Sequence, residues 1–243
     1  MPKLSTPSIQ HLARQIQPTS EQIERNLIKL ALNPPAFNYN PLYGLTHDAL
    51  AYKQPLAQLQ KGIADRVKIA KVRENFLSLA PLIHGYFAPI SADFVGKVSR
   101  RFYNAGRDLL IPFDPPLIYG VAGTIHLPWL SFWRNDPLSG ERLSLFMTLL
   151  DEILGQDPDL DMAKVTILDF SAPAPGQERE LSLLNAKEIP RLDTAQKTEL
   201  LERFVEGFLA ARFKLASMSP RDTTADTPAG VPDPNQPDLF RPE

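Results

Sequence analysis

The chain has 243 residues, 43% apolar and 22% charged, ordinary usage for a globular protein long enough to bury a core. It has no cysteine, which excludes disulfides, thiolate metal sites and cysteine nucleophiles. Its net charge of −2 conceals an asymmetry: residues 1–108 hold 14 Lys and Arg against 7 Asp and Glu, and residues 109–243 hold 12 against 21. The first part is therefore +7 and the second −9, which suits either a polyanion on the basic part or attraction between the two parts. No window approaches the roughly 18 uncharged apolar residues of a membrane span. The N-terminus lacks a secretory pattern. These features predict a cytoplasmic protein that does not cross a membrane.

Residues 1–108 read as mainly helical. Thr19 or Ser20 can cap a helix running to about Leu32, with Ile23, Leu27 and Leu30 on one side, and Asn33-Pro34-Pro35 stops it. A loop rich in Asn, Pro and Tyr is expected from Phe37 to Gly44. Next, Leu56, Leu59, Ile63, Val67, Ala70 and Leu77 share one stripe, predicting a helix from about Leu56 to Leu79 that ends at Pro81 and Gly85. Lys61, Lys68 and Lys71 project opposite that stripe, with Arg66 and Arg73 at its flanks. A second basic segment holds Lys97, Arg100, Arg101 and Arg107. Phe94, Val95, Val98, Phe102 and Tyr103 around it suggest a further helix.

From Leu109 the period becomes extended. Leu109–Phe113 and Leu117–Val121 are β-like, and Ala122-Gly123 turns the chain into Thr124–Trp133. Pro128 within that run predicts an edge strand or a bulge. Asp136-Pro137 predicts a helix start, Leu145, Leu149 and Ile153 part of its buried face, and Gly155 its C′ residue. Lys164–Phe170 reads as a strand with a hairpin partner at Glu178–Leu184. Asp193 with Gln196 forms a capping-box pattern opening a helix to about Lys214. Residues 109–216 thus predict an α+β fold, in which an antiparallel sheet of two hairpins is covered by two helices and follows the helical N-terminal region. Residues 217–243, rich in Pro, Asp and Thr, predict a disordered tail.

Three chemistries are open. Near the C-terminus, Gln236-Pro237-Asp238-Leu239-Phe240 resembles the peptide by which many bacterial polymerases and repair proteins dock on the replication sliding clamp. The resemblance spans five residues and implies that Leu239 and Phe240 fill a pocket, Gln236 orients the peptide and Asp238 takes its acidic position; Pro237 departs from the usual Leu. Second, Lys61, Arg66, Lys68, Lys71, Arg73, Arg100 and Arg101 are candidates for contacting the phosphates of DNA or RNA, although no recognised DNA-binding motif accompanies them. Third, Asp169 at a strand end, with Glu178 and Glu180 on the partner, are candidate catalytic carboxylates of a metal-dependent nuclease or other hydrolase with a non-standard site. The acid-x-Lys triplet of such nucleases is missing from residues 109–216. The four histidines are scattered, and His126 reads as structural. No glycine-rich phosphate loop or nucleophile elbow is present, so no cofactor or resident metal is expected and the balance leans away from an enzyme. The leading expectation is a DNA-metabolism accessory protein, basic surface on nucleic acid and tail on the clamp. Its rival is an interaction or regulatory protein with no nucleic-acid role.

Overall fold

The computed structural model describes residues 4–218. A short helix, α1 (Ile9–Gln15), fully buries Ile9, Leu12 and Ala13. Helix α2 (Ser20–Leu32) starts where the sequence predicts: Thr19 Oγ1 accepts the Gln22 N–H at 3.3 Å, and Ile23, Leu27 and Leu30 are buried. The stretch expected as a loop is largely helix α3 (Asn40–Ala51). Asn38 Oδ1 accepts the Asn40 N–H at 3.0 Å, a proline sits in the first turn, and Leu42, Leu45, Ala49 and Leu50 form its inner face.

The single helix expected from Leu56 to Leu79 is two, α4 (Leu56–Arg66) and α5 (Ala70–Phe87). Val67 and Ile69 leave the helical region, with ψ of 105° and 115°, and turn the chain through a corner. Val67 stays buried there, so the apolar stripe reads through the break. Helix α5 then passes Pro81 and Gly85 without ending. Pro81 lies on its exposed side, where the carbonyl deprived of a donor can be hydrated.

The segment around residues 94–103 is not helical: it supplies strands β1 (Phe94–Gly96) and β2 (Arg101–Asn104). Its Phe, Val and Tyr content suits a strand better than a helix interior. Strands β3 (Leu110–Phe113), β4 (Ile118–Val121) and β5 (Thr124–Ser131) follow. β2 and β3 form a separate antiparallel ribbon, while the main sheet has the order β1-β4-β5-β6-β7, with β6 at Lys164–Asp169 and β7 at Ser182–Asn185. Ala122 and Gly123, with φ of 49° and 75°, make the tight β4–β5 turn.

Pro128 lies in a central strand, not at an edge. Pairing of β5 with β4 ends at Tyr119↔His126, and strand alternation aims the missing Pro128 N–H toward that unpaired side. Helix α6 (Gly140–Leu154) starts later than expected, after Ser139, because Asp136 holds a left-handed φ of 52°. Gly155 caps its end with a right-handed φ of −65°, not the left-handed C′ geometry. α6 carries the chain from the end of β5 to the start of β6, so these two strands pair in parallel, His126↔Lys164 through Ser131↔Asp169. The sheet of this α+β fold is thus mixed, and the expected hairpins β4–β5 and β6–β7 flank its parallel centre. Helix α7 (Thr194–Ser217) opens with the expected capping box: Asp193 Oδ1 accepts the Gln196 N–H at 2.8 Å, and Gln196 Oε1 accepts the Asp193 N–H at 3.1 Å.

Both faces of the sheet are covered. Trp129 and Ile167 pack with α1, α2, α6 and α7, whereas Leu130, Phe132, Leu168 and Phe170 pack with α3, α4 and α5. Each core draws residues from both sides of residue 108, as Ile23 with Phe204 and Phe76 with Phe170.

Helices α2 and α7 approach most closely at Gly207. A Cβ there would lie 2.6 Å from the Ser20 carbonyl oxygen and 2.8 Å from Ile23 Cβ. Because one obstacle is backbone, Gly207→Ala must push the helices apart. We expect a loss of about 1–3 kcal/mol in urea unfolding; an unchanged midpoint would show that the crossing is slack.

Candidate functional site

Strands β5 and β6 finish level with one another, at Ser131 and Asp169. Alternation sends Trp129, Ser131, Ile167 and Asp169 to the α6 face. With Trp133, Pro137 and the first turn of α6 they line a depression of about 280 Å³, part of it open solvent. Carboxyl ends of parallel strands are a common ligand location, but this depression is shallow and its walls are mainly the apolar side chains of Trp129, Trp133, Leu143 and Phe146.

Asp169, 9% exposed, has its carboxylate turned back on the chain: the Ser171 N–H donates to Oδ1 at 3.2 Å and the Ser171 hydroxyl to Oδ2 at 3.0 Å. Burial raises its pKa above the ordinary 3.8, and the Ser171 bonds, Ser131 and the charge of Arg179 offset this only in part. Ser131 Oγ is buried without a well-formed hydrogen bond, yet lies near enough to the carboxylate to favour its charge. At the rim, the Arg14 guanidinium sits 4.4 Å from the centre of the Trp133 ring.

On the opposite side of the strand ends lies a residue that the sequence does not single out. Arg179 is 7% exposed. Its Nη1 donates to the Phe132 and Phe170 carbonyls at 2.9 and 2.8 Å, and its Nη2 to Asn75 Oδ1 on α5 at 2.7 Å. It makes no ion pair among the described residues. Burial lowers its pKa from 12.5 to about 10, opposed by Tyr39 and Asp169, so it stays cationic at neutral pH. An arginine between two glutamates in an irregular segment carries no periodic signal of burial.

The candidate carboxylates do not converge. Glu178 and Glu180 stand exposed on either side of Arg179, ahead of β7, while Asp169 is buried against the α6 depression. Among the described residues no group of three or more His, Asp or Glu is placed to hold a metal ion. His126 stacks on Tyr119 with ring centres 4.9 Å apart, and burial, then Lys164, lowers its pKa.

The candidate cations divide into two sets. Lys61, Arg66, Lys68, Lys71 and Arg73 gather about the α4–α5 corner. Lys61 pairs with Asp65 at 2.7 Å, and Lys68 Nζ donates to the Asp65 carbonyl at 2.7 Å. Arg73 is half-buried and donates across the corner to the Val67 carbonyl at 3.4 Å. Arg66 and Lys71 are exposed, with no ion pair among the described residues. Arg100 and Arg101 lie elsewhere, paired with Asp114 at 3.2 Å and with Asp157. Asn75 places the start of α5 beside the carboxyl ends of β5 and β6, whereas Asp157 lies between α6 and β6, toward the amino end of β6. Gln236, Asp238, Leu239 and Phe240 lie outside the described residues.

No family model, curated protein or solved structure matches the chain.

Asp169 gives a pH test. Its folded pKa is raised, so between 3.8 and that value the native state binds more protons than the unfolded state, and stability falls as pH rises. Asp169→Asn removes this contribution. Its stability relative to the parent should therefore improve from pH 4 to pH 7 in urea titrations; a pH-independent difference would exclude a buried, raised carboxyl.

Proposed function

We propose that the protein is a DNA-metabolism accessory factor that holds nucleic acid through the α4–α5 corner and docks on a sliding clamp through residues 236–240. The observation that carries this reading is the grouping of exposed Arg66, Lys68 and Lys71 about one corner, without a carboxylate partner for any of them among the described residues. A polyanion gains most from cations that need not first be released from an internal ion pair. Lys61 and Arg73 support the corner through Asp65 and Val67 and are secondary contacts. The likeness of Gln236–Phe240 to clamp-binding peptides supplies the second half.

Two measurements test it. Arg66→Glu, Lys68→Glu and Lys71→Glu together should weaken binding of nucleic acid at least about tenfold at 50 mM salt and flatten its salt dependence by about 2–3 contacts. The parent failing to bind, or binding independently of salt, would remove the nucleic-acid half. A peptide of residues 233–243 should bind a bacterial sliding clamp in the micromolar range, because a few side chains anchor a segment that must be ordered. Leu239→Ala with Phe240→Ala should eliminate that binding, and Gln236→Ala should weaken it by about 1–2 kcal/mol. Equal binding by the double-alanine peptide would refute the clamp half.

A further inference from the structure

We infer that the β2–β3 ribbon is a platform for single-stranded nucleic acid, with a base stacked on Phe102 and phosphates held by Lys97, Arg100 and Arg107. This rests on the nucleic-acid reading above but concerns a surface separate from the α4–α5 corner.

The ribbon stands apart from the main sheet, paired only with itself. Its register, Phe102↔Pro112 and Asn104↔Leu110, puts these four residues on one face. The opposite face is the inner one, carrying buried Ile111 and Phe113 and Tyr103, whose hydroxyl donates to Glu152 Oε2 at 2.9 Å. On the outer face Phe102 is 56% exposed and Leu110 50% exposed. The ribbon is too narrow to bury this pair, so the face of the Phe102 ring stays open for stacking.

Charge selects what binds. From Phe94 to Arg107 the chain contains Lys97, Arg100, Arg101 and Arg107 and no acidic residue. Lys97 and Arg107 are exposed without an ion pair among the described residues, while Arg100 keeps about half of its side chain exposed beside Asp114. At the tip, Gly106, Arg107 and Asp108 hold left-handed φ of 112°, 46° and 58°. Arg107 and Asp108 are the central pair of the hairpin turn closed by the Leu109 N–H on the Gly106 carbonyl at 2.9 Å, which presents the Arg107 side chain at the end of the ribbon. An apolar protein partner would use Phe102 and Leu110 but leave Lys97 and Arg107 unanswered. A polyanion with accessible apolar rings answers both, and that is a single strand, since a duplex keeps its base faces inside the stack. Asn104, opposite Leu110, accepts the Gly106 N–H at 2.9 Å through Oδ1, which leaves its Nδ2 to donate to a base edge.

The test uses the full chain with a labelled oligo-dT, the corresponding duplex, and vesicles of phosphatidylserine and phosphatidylcholine. The single strand should bind more tightly than the duplex. Phe102→Ala should weaken it roughly five- to hundred-fold, the range for losing one stacked base, without changing the salt slope. Arg107→Gln should instead lower the slope by about 0.7, one phosphate contact on a single strand. Phe102→Trp should keep the affinity and show quenched fluorescence on binding. Preference for the duplex, or single-strand binding indifferent to Phe102→Ala, would overturn the inference while leaving the nucleic-acid reading intact. Vesicle binding lost with Phe102→Ala while oligonucleotide binding is unchanged would assign the ribbon to a membrane surface instead. If neither nucleic acid binds the parent chain, the nucleic-acid reading fails and the inference with it.

Discussion

The buried guanidinium of Arg179 holds together parts of the molecule that are distant in sequence. Burying a cation without a carboxylate is costly, and here both terminal nitrogens of the guanidinium meet acceptors while Nε is buried without one among the described residues. Here two directions are filled by strand-end carbonyls, Phe132 and Phe170, that lie just past the paired residues of β5 and β6, and a third by Asn75 of α5. The two central strands and the helix covering one of their faces are thereby tied at one point. The position of α5 fixes the corner with α4, and the position of residue 179 fixes where the chain re-enters the sheet as β7. The buried carboxylate of Asp169 lies close enough to offset part of the charge, which makes the strand ends an electrostatic unit even though no ion pair forms.

Coverage of both sheet faces is why the proposed contacts lie on the periphery. Side chains of β5 and β6 are spent on two cores, and the one depression described at their ends is small and mostly apolar. Two exposed surfaces on which the proposals rest are the α4–α5 corner and the β2–β3 ribbon. One lies toward the carboxyl ends of the parallel strands. The other is linked through Arg101 and Asp157 to the opposite end.

The sequence was most legible where a local bond decides the outcome. The Thr19 and Asp193 caps, the Ala122-Gly123 turn and the two hairpins each follow from a few adjacent residues, as does the α+β class. It was least legible where a side chain's environment comes from elsewhere. The corner after Arg66 escapes a periodicity argument because Val67 continues the apolar stripe. α3 hides in a stretch whose Asn, Pro and Gly suggest a loop although Leu42, Leu45, Ala49 and Leu50 keep helical spacing. β1 and β2 resemble a helix face because short strands of bulky residues carry too few positions to separate periods of 2 and 3.6. For the candidate sites, the corner cations were readable as a group because they are close in sequence. Arg100 and Arg101 fall in a different place because an unforeseen strand lies between. Glu178 and Glu180 alternate like strand residues although the strand begins only at Ser182, and Arg179 between them carries no sign of its burial.

The close crossing of α2 and α7 has a consequence for how the chain folds during synthesis. Ile23 and Gly207 come together from positions far apart in the chain, so their contact closes a very long loop. At ribosomal speeds of about 5–20 residues per second, α2 emerges on the order of ten seconds or more before the helix that covers it. During that interval Ile23 and Leu27 are without their final partners, an interval in which a chaperone that shields apolar helices would act. The sheet face covered by α3, α4 and α5 can be assembled sooner, once β6 has been made. The two cores therefore complete in sequence, and the last to close is the one containing the first helix made.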